Sequence, residues 1–456
     1  MKSKAEFATK LGLIAATVGS AVGLGNVWRF PAETQSHGGA AFLLLYIVCV
    51  LVLGIPVMLA EFSLGRGSRA DAIGSFLKFA PKKKWWIVGL LAVLASYLIL
   101  CYYMVVAGWT LEYLVESVTG GLYQGMGQAG NLDDTRALFM SKMDEYICSD
   151  IKPLVYTLIL IGINTGVLLG GVRNGIERLS NWLMPVLFVI LAIMVAVCLS
   201  LPDAMAGVRF FLEPDFSRIT PGVVVSALGQ AFFSLSLGMG ILITYSSYYP
   251  DKTNLTQTSV VVALLSLLVA VMMGLIIFPA VKSFGLDHET LRGTTLVFVT
   301  LPEIFGRMPL SELWSVLFFV LLLVAALTST VSISEVSVAM LEDRFGMSRR
   351  RAVLTVMLPL VLLSSLCSLS FGSLSDFTIL DMSIFDFLDT TSTNILLPTV
   401  SLGVCLFVGW AAPKQMLADE LTNYGRLRSG ISFTAKWIIR YAAPALIVLI
   451  TIYKYL

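Results

Sequence analysis

Between Gly19 and Pro31 the chain reads GSAVGLGNVWRFP. Gly19, Gly23 and Gly25, then Asn26, Arg29 and Pro31, fall in an apolar run from Leu11 to Phe30. A run of that length can cross a bilayer as a helix, yet a spanning helix gains nothing from these residues. Glycine weakens a helix and lets its backbone approach a ligand closely. Irregular backbone at membrane depth persists only where it is buried in protein or lines a wet cavity. Gly19 and Gly23 also have the GxxxG spacing of a close helix contact. The alternative is a broken helix whose freed carbonyls and amides line a binding site at the membrane midplane. Asn26 and Arg29 favour the broken helix, because polar groups at that depth need a purpose.

A second such stretch runs from Gln230 to Gly240, QAFFSLSLGMG, where Ser234, Ser236, Gly238 and Gly240 interrupt an apolar segment. Interrupted spans at corresponding positions of two halves point to a transporter built from inverted repeats. The two halves share no residue-level repeat, so this expectation rests on hydropathy and glycine placement.

The elements that must carry these stretches are membrane spans. The chain has 456 residues, 57% hydrophobic and 13% charged, with a mean hydropathy of +0.86. That composition excludes a soluble domain and describes a polytopic membrane protein. Eleven spans are expected, over 10–32, 41–65, 86–116, 154–172, 180–200, 222–249, 258–281, 312–342, 350–370, 384–411 and 434–455. The fold class expected is an all-α polytopic membrane protein forming a single transporter domain, 1–456. Residues 10–200 form a first five-helix repeat, 222–411 its inverted counterpart and 434–455 an extra helix. Lys and Arg gather in alternate loops: Lys2 to Lys10, Arg66 to Lys84, Arg173 and Arg178, Arg344 to Arg351, and Lys414 to Lys436. By the positive-inside rule the N-terminus is cytoplasmic, and the expected location is the inner (plasma) membrane. An odd span count then puts the C-terminus outside. The first apolar stretch lacks a cleavage context and reads as a retained helix. Thr119 to Lys152 is polar and reads as an external loop with some helix. Leu296 to Pro309, LVFVTLPEIFGRMP, is too short to cross and reads as a re-entrant hairpin.

Other chemistry is absent from the pattern. His37 and His288 are isolated, and five of six cysteines lie in apolar spans, Cys148 excepted. This argues against a metal constellation or a disulfide framework. No phosphate loop and no nucleophile–base pair occurs. An enzyme and a nucleic-acid partner are therefore not expected.

These segments resemble the bacterial branch of the neurotransmitter:sodium symporter family over nearly the whole chain. The resemblance is carried by GSAVGLGNVWRFP and by GGAAFLLLY (Gly38 to Tyr46). GIPVMLAEFSLGR (Gly54 to Arg66) and FFSLSLGMG with ITYSSY (Phe232 to Tyr248) add to it. AALTSTVSISEV (Ala325 to Val336) and LEDRFGMSRR complete it. It implies ten core helices in two inverted repeats, with helices 1 and 6 unwound at the substrate site.

The resemblance also implies roles. Sodium is a hard cation that prefers oxygen ligands. One sodium would take the carbonyls of Gly19, Val22 and Ala325 and the hydroxyls of Thr328 and Ser329. On residue types alone, those hydroxyls could equally bond back to the preceding turn. A second sodium would use the Ala21 carbonyl, the Asn26 side chain, Ser234 and the substrate carboxylate. Chloride is left open: Tyr46, Gln230 and Ser234 match the family's positions. Aligned through GLIIFP (Gly274 to Pro279), Ser266 stands where members usually carry Asn or Asp and Ala270 where they carry Ser or an acid, which leaves the number of sodium ions, one or two, open as well.

For the substrate, amides of Ala21 to Gly25 and the Tyr103 hydroxyl would hold a carboxylate. Carbonyls near Phe233, Ser234 and Ser236 would accept from an ammonium. Ser20, Ile99, Phe233, Leu237, Met239, Ser329, Ser332 and Ile333 would surround the side chain, with plain packing the alternative for Ile99, Met239 and Ile333. Gly23 stands where monoamine-carrying members have an acid. The expected substrate is a neutral, hydrophobic or aromatic α-amino acid, moved with sodium by alternating access.

Arg29 and Asp389 resemble the external gate pair, beneath which Tyr103 and Phe233 would form an aromatic lid. Lys4 and Asp343 resemble the internal pair, with Tyr248 and Glu335 beside it. Lys4 replaces the usual Arg and lacks its planar fork. Phe7 replaces a usual Trp. Glu61 reads as structural, satisfying amides of a helix break, and Asp386 as a support of the outer pair or a cap. The competing readings are a proton-coupled or uncoupled carrier, motivated by Ser266 and Ala270, and an amino acid sensor that moves nothing. The absence of an appended signalling domain argues against the sensor.

Overall fold

The structure, a computed structural model, describes residues 6–128, 132–286, 293–427, 430 and 432–453. Lys4 and His288 lie outside these. Among the described residues nine helices are long and apolar enough to cross a membrane: α3 (Ala40–Ser68), α5 (Trp86–Thr119), α7 (Lys152–Leu169), α8 (Val172–Leu199), α12 (Leu255–Ser283), α14 (Ser311–Phe345), α15 (Arg349–Leu369), α16 (Ile384–Ala411) and α18 (Phe433–Tyr453). The pair α1 (Lys10–Ala21) and α2 (Gly25–Ser36) makes a tenth span, bent by 54° at the break. A second interrupted pair, α10 (Pro221–Ser234) and α11 (Ile241–Ser246), supplies the remaining expected span. Between the spans lie α4 (Ala72–Phe79), α6 (Leu132–Cys148), α9 (Ala204–Leu212), α13 (Gly293–Gly306) and α17 (Met416–Leu421). The expected helix in the external loop is α6, and the expected re-entrant segment is α13.

Local sequence fixes many of the ends. Thr9 caps α1 by accepting from the Gly12 amide, Asp71 caps α4 through Ile73 and Gly74, and Asn254 caps α12 through Gln257. Thr220 caps α10, with Pro221 at the first helical position. Ser383 caps α16 through the Asp386 amide, and its hydroxyl bonds the Asp386 carboxylate at 2.7 Å, so Asp386 belongs to that cap.

Packing ranks the spans. In α5 and α14, 72% of the most apolar window is buried in protein, against 22% in α18. The first two are central posts and α18 is peripheral, its apolar surface left for lipid. At 34 and 35 residues, α5 and α14 also exceed the roughly 20 residues a bilayer requires. The two interrupted spans meet beside them.

Side chains satisfy the breaks. At Gly238 and Gly240 φ is +79° and +70°, a backbone that disfavours any other residue. The Glu61 carboxylate of α3 accepts from the Gly238 amide at 2.8 Å, as expected of it. Ser96 of α5 donates to the Met239 carbonyl at 2.5 Å. Ser236 donates to the Ser20 carbonyl at 2.7 Å and ties one break to the other.

Candidate substrate and sodium site

A cavity of about 370 Å3 lies between the two breaks, α5 and α14. Ser20, Ala21, Gly25, Ile99, Tyr103, Phe233, Ser234, Ser236, Met239, Ser329 and Ile333 all line it. The structure thus brings together most of the residues expected around a substrate. Two are placed elsewhere. Leu237 lines a neighbouring cavity between α10, α16 and α18, because the left-handed backbone at Ser236 (φ +55°) and Gly238 turns it away. Ser332 is committed to its own helix and a neighbour: its hydroxyl donates to the Thr328 carbonyl and accepts from Tyr245, each at 2.7 Å.

Gly23 and Leu24 complete the lining. A Cβ on Gly23 would sit 2.8 Å from the Ser329 hydroxyl and 2.9 Å from that of Tyr103, so the space beside Gly23 holds no side chain. The Leu24 amide donates to the Tyr103 hydroxyl at 3.0 Å, which leaves that hydroxyl's own proton to donate. Leu24 was signalled only by its place between two glycines of the break.

Four of the five residues expected for the first sodium, Gly19, Ala325, Thr328 and Ser329, adjoin one another. Ser329 donates to the Gly19 carbonyl at 3.3 Å, and Gly19 lies against Thr328, whose side chain a Cβ would approach to 3.1 Å. Thr328 bonds back to Val324 and Ala325 at 3.0 and 3.1 Å, the local pattern the residue types also allowed. The second expected set is adjacent. The Asn26 side-chain nitrogen donates to the Ala21 carbonyl at 3.2 Å and to Ser266 at 3.0 Å, while its oxygen is buried with no partner. An unpartnered buried amide oxygen is costly and suits a cation ligand. Ser266 in turn donates to the Ser234 carbonyl at 3.3 Å.

At the chloride positions Tyr46 and one N–H of Gln230 are engaged. Tyr46 donates to Ser234 at 2.9 Å and Gln230 to the Gly25 carbonyl at 3.0 Å. Ala270 is fully buried beside them in α12 and brings no donor.

Of the outer pair, Arg29 stacks over the Phe233 ring at 4.7 Å and faces Glu33 at 4.0 Å. Asp389 accepts from Tyr102, a hydroxyl on which Arg29 also acts electrostatically. The two charges therefore share Tyr102, whose neighbour Tyr103 carries the stronger signal in the sequence.

On the opposite side, Glu335 is fully buried and accepts from Tyr248 at 2.8 Å. Its cation is Arg349, which makes a two-pronged pair at 2.9 and 2.6 Å and also reaches Glu342 at 3.2 Å. In the sequence, Arg349 shows only as the start of the basic run Arg349 to Arg351, where it reads as loop charge. Phe7 is buried among Tyr245, Tyr248 and Tyr249. Asp71, outside the spans, faces Arg344 at 3.8 Å, and burial raises its carboxyl above the usual range.

The profile of the sodium:neurotransmitter symporter family matches residues 4–135 and 136–456. The chain belongs to this family. It is 36% identical over 445 residues to YhdH, a sodium-dependent transporter of Bacillus subtilis (strain 168), covering 98% of this chain and 96% of that one. It is 35% identical to a sodium-dependent transporter of Haemophilus influenzae, covering 99% and 98%. Among solved structures it is similar to MhsT in complex with L-phenylalanine, with a TM-score of 0.88 and 39% identity over 99% of each chain.

As a member of the sodium:neurotransmitter symporter family, the chain is a sodium-dependent membrane symporter with a small-molecule substrate, and not an enzyme. The chain shares the fold of the MhsT structure.

Proposed function

We propose that this symporter carries a neutral α-amino acid with a large apolar or aromatic side chain, driven by sodium through alternating access. The observation that carries the reading is the cavity between the two breaks. Its lining includes main-chain groups of Ala21, Gly23, Leu24 and Gly25 and the Tyr103 hydroxyl, suited to a carboxylate. It also includes Ile99, Met239 and Ile333, apolar side chains with one adaptable thioether. Gly23 leaves no acid for a substrate that lacks a carboxylate. MhsT, at 39% identity, is seen with L-phenylalanine, which agrees with this class.

Two sodium positions follow on the same reading. Gly19, Val22, Ala325, Thr328 and Ser329 form the first. Ala21, Asn26 and Ser234, with the substrate carboxylate, form the second. Occupancy of the second would couple ion to substrate directly, since each supplies the other's missing charge. Chloride has no role in this scheme. Arg29 with Asp389 gates one face. Glu335, Tyr248 and Arg349, together with the pair that the resemblance assigns to Lys4 and Asp343, gate the other, which the positive-inside rule makes cytoplasmic. The test is equilibrium binding of tritiated leucine, tryptophan, tyrosine and phenylalanine to the purified chain in sodium or potassium. Saturable binding in sodium alone supports the reading. Sodium-independent binding, or none of these ligands bound, refutes it.

A further inference from the structure

Where α16 ends and α18 begins, three aromatic rings and a guanidinium form a cluster on the outside of the bundle. The Arg440 guanidinium lies 3.9 Å from the centre of the Trp410 ring and 5.5 Å from that of Tyr441. Trp410 Nε1 donates to the Arg440 carbonyl at 3.0 Å, which fixes the ring. Tyr441 packs on Trp410 at 5.5 Å and on Trp437 at 5.8 Å. The helices meet this closely because position 409 is glycine: a Cβ there would sit 3.0 Å from Arg440 Cα. Trp410, Trp437 and Tyr441 are nevertheless 55%, 57% and 45% exposed.

An interfacial aromatic belt accounts for the rings alone. It does not account for the cation they hold. Among the described residues no carboxylate pairs with Arg440, Lys436 or Lys414, and Arg440 Nε is buried without a partner. Lys436 lies one turn before Arg440. From Lys414 to Arg440 the sequence holds Lys414, Arg426, Arg428, Lys436 and Arg440 against Asp419 and Glu420. Glu420 is already taken by Arg66. A guanidinium at a lipid-facing surface is costly unless it meets an anion, and its planar fork matches phosphate oxygens.

We propose that Arg440, with Lys436, holds the phosphate of an anionic phospholipid against the Trp410–Tyr441 face. The lipid belongs to the leaflet that adjoins the 412–432 connection, and its acyl chains lie along α18. Charge complementarity selects the phosphate, and the exposed rings select a headgroup attached to a lipid. The site stands apart from the substrate cavity and does not depend on which solute is carried.

The test is native mass spectrometry of the purified full chain titrated with phosphatidylglycerol or phosphatidylcholine, repeated with inorganic phosphate in excess. Phosphatidylglycerol should bind in preference. Arg440→Gln and Lys436→Gln should each weaken that preference by roughly fivefold, the worth of one cation near an anionic surface. Arg440→Lys, which keeps the charge and loses the fork, should fall between. Lys436 is exposed, so its variant reports even where substitution of Arg440 disturbs folding. Equal binding of both lipids, or unchanged preference in the Lys436 and Arg440 variants, overturns the proposal. Displacement of the lipid by inorganic phosphate overturns the lipid as the source of the anion.

Discussion

In the proposed function, Gly23 is the residue on which substrate class turns. Its hydrogen faces the Ser329 and Tyr103 hydroxyls across less than 3 Å of room for a carbon. Gly23→Ala should therefore lower amino acid affinity by on the order of tenfold to a hundredfold, the range overpacking costs, with the thermal midpoint little changed. Competition binding measures it, and an unaltered affinity would remove Gly23 from the site. Asn26 and Ser329 carry the ion claim. Asn26→Ala and Ser329→Ala should each raise the sodium concentration for half-maximal binding by about tenfold or more, as loss of a contact to a charged group predicts. A sodium titration of substrate binding that leaves both variants at the wild-type value would contradict both ion positions.

At the scale of elements, the first half-helix is held at its start as well as at its break. The Glu177 carboxylate at the head of α8 accepts from the Ala8 and Thr9 amides at 2.8 and 3.0 Å and from the Thr9 hydroxyl at 2.7 Å. Thr9 is the residue that caps α1. Glu177→Ala removes all three hydrogen bonds at once. Amide exchange of residues 8–12 should speed up by at least tenfold while exchange in α5 and α14 stays unchanged; equal protection would show that α1 is held by packing alone. The helix breaks were legible because glycines and serines clustered in an apolar run weaken the helix where they stand. Glu61 was legible as the partner of a break. Glu177 was not, since its partners are main-chain amides 168 and 169 residues away. Ser332 was misplaced because residue type does not show that its hydroxyl is spent on the Thr328 carbonyl and on Tyr245, and Leu237 because helical spacing assigns faces only where the helix continues. Through an unwound stretch, the backbone angles at Ser236 and Gly238 decide direction, and no periodicity records them. Tyr102 was missed because it adjoins Tyr103, which has the stronger sequence signal, and choosing between neighbours needs the helix phase; Arg349 was missed because it opens a basic run that reads as loop charge.

For the whole molecule, alternating access requires two closures that do not open together. The closure best defined here is the one around Glu335, where a fully buried carboxylate meets the Arg349 fork, Tyr248 and the Phe7 aromatic nest. Removing one partner of a buried ion pair costs about 3–5 kcal/mol, because the other charge is stranded. Arg349→Gln should lower the thermal midpoint in detergent, and should also expose cysteines introduced beside Phe7 to thiol reagents. Labelling as slow as in the parent cysteine variant would show that the pair does not hold that face closed. The substrate cavity between the breaks and this closure are separate sites, so substrate should slow the labelling only when sodium is present.

The most direct measurement is uptake of tritiated amino acid into proteoliposomes under an inward sodium gradient, set against potassium on both sides and against gluconate in place of chloride. The expected result is accumulation above equilibrium with sodium, no accumulation with potassium, and no change without chloride, because Tyr46 spends its donor and Gln230 one of its two N–H groups within the protein, and the Ala270 side chain offers none. Uptake that proceeds equally in potassium would contradict sodium coupling. Sodium-driven uptake that disappears in gluconate would contradict the reading of Ala270.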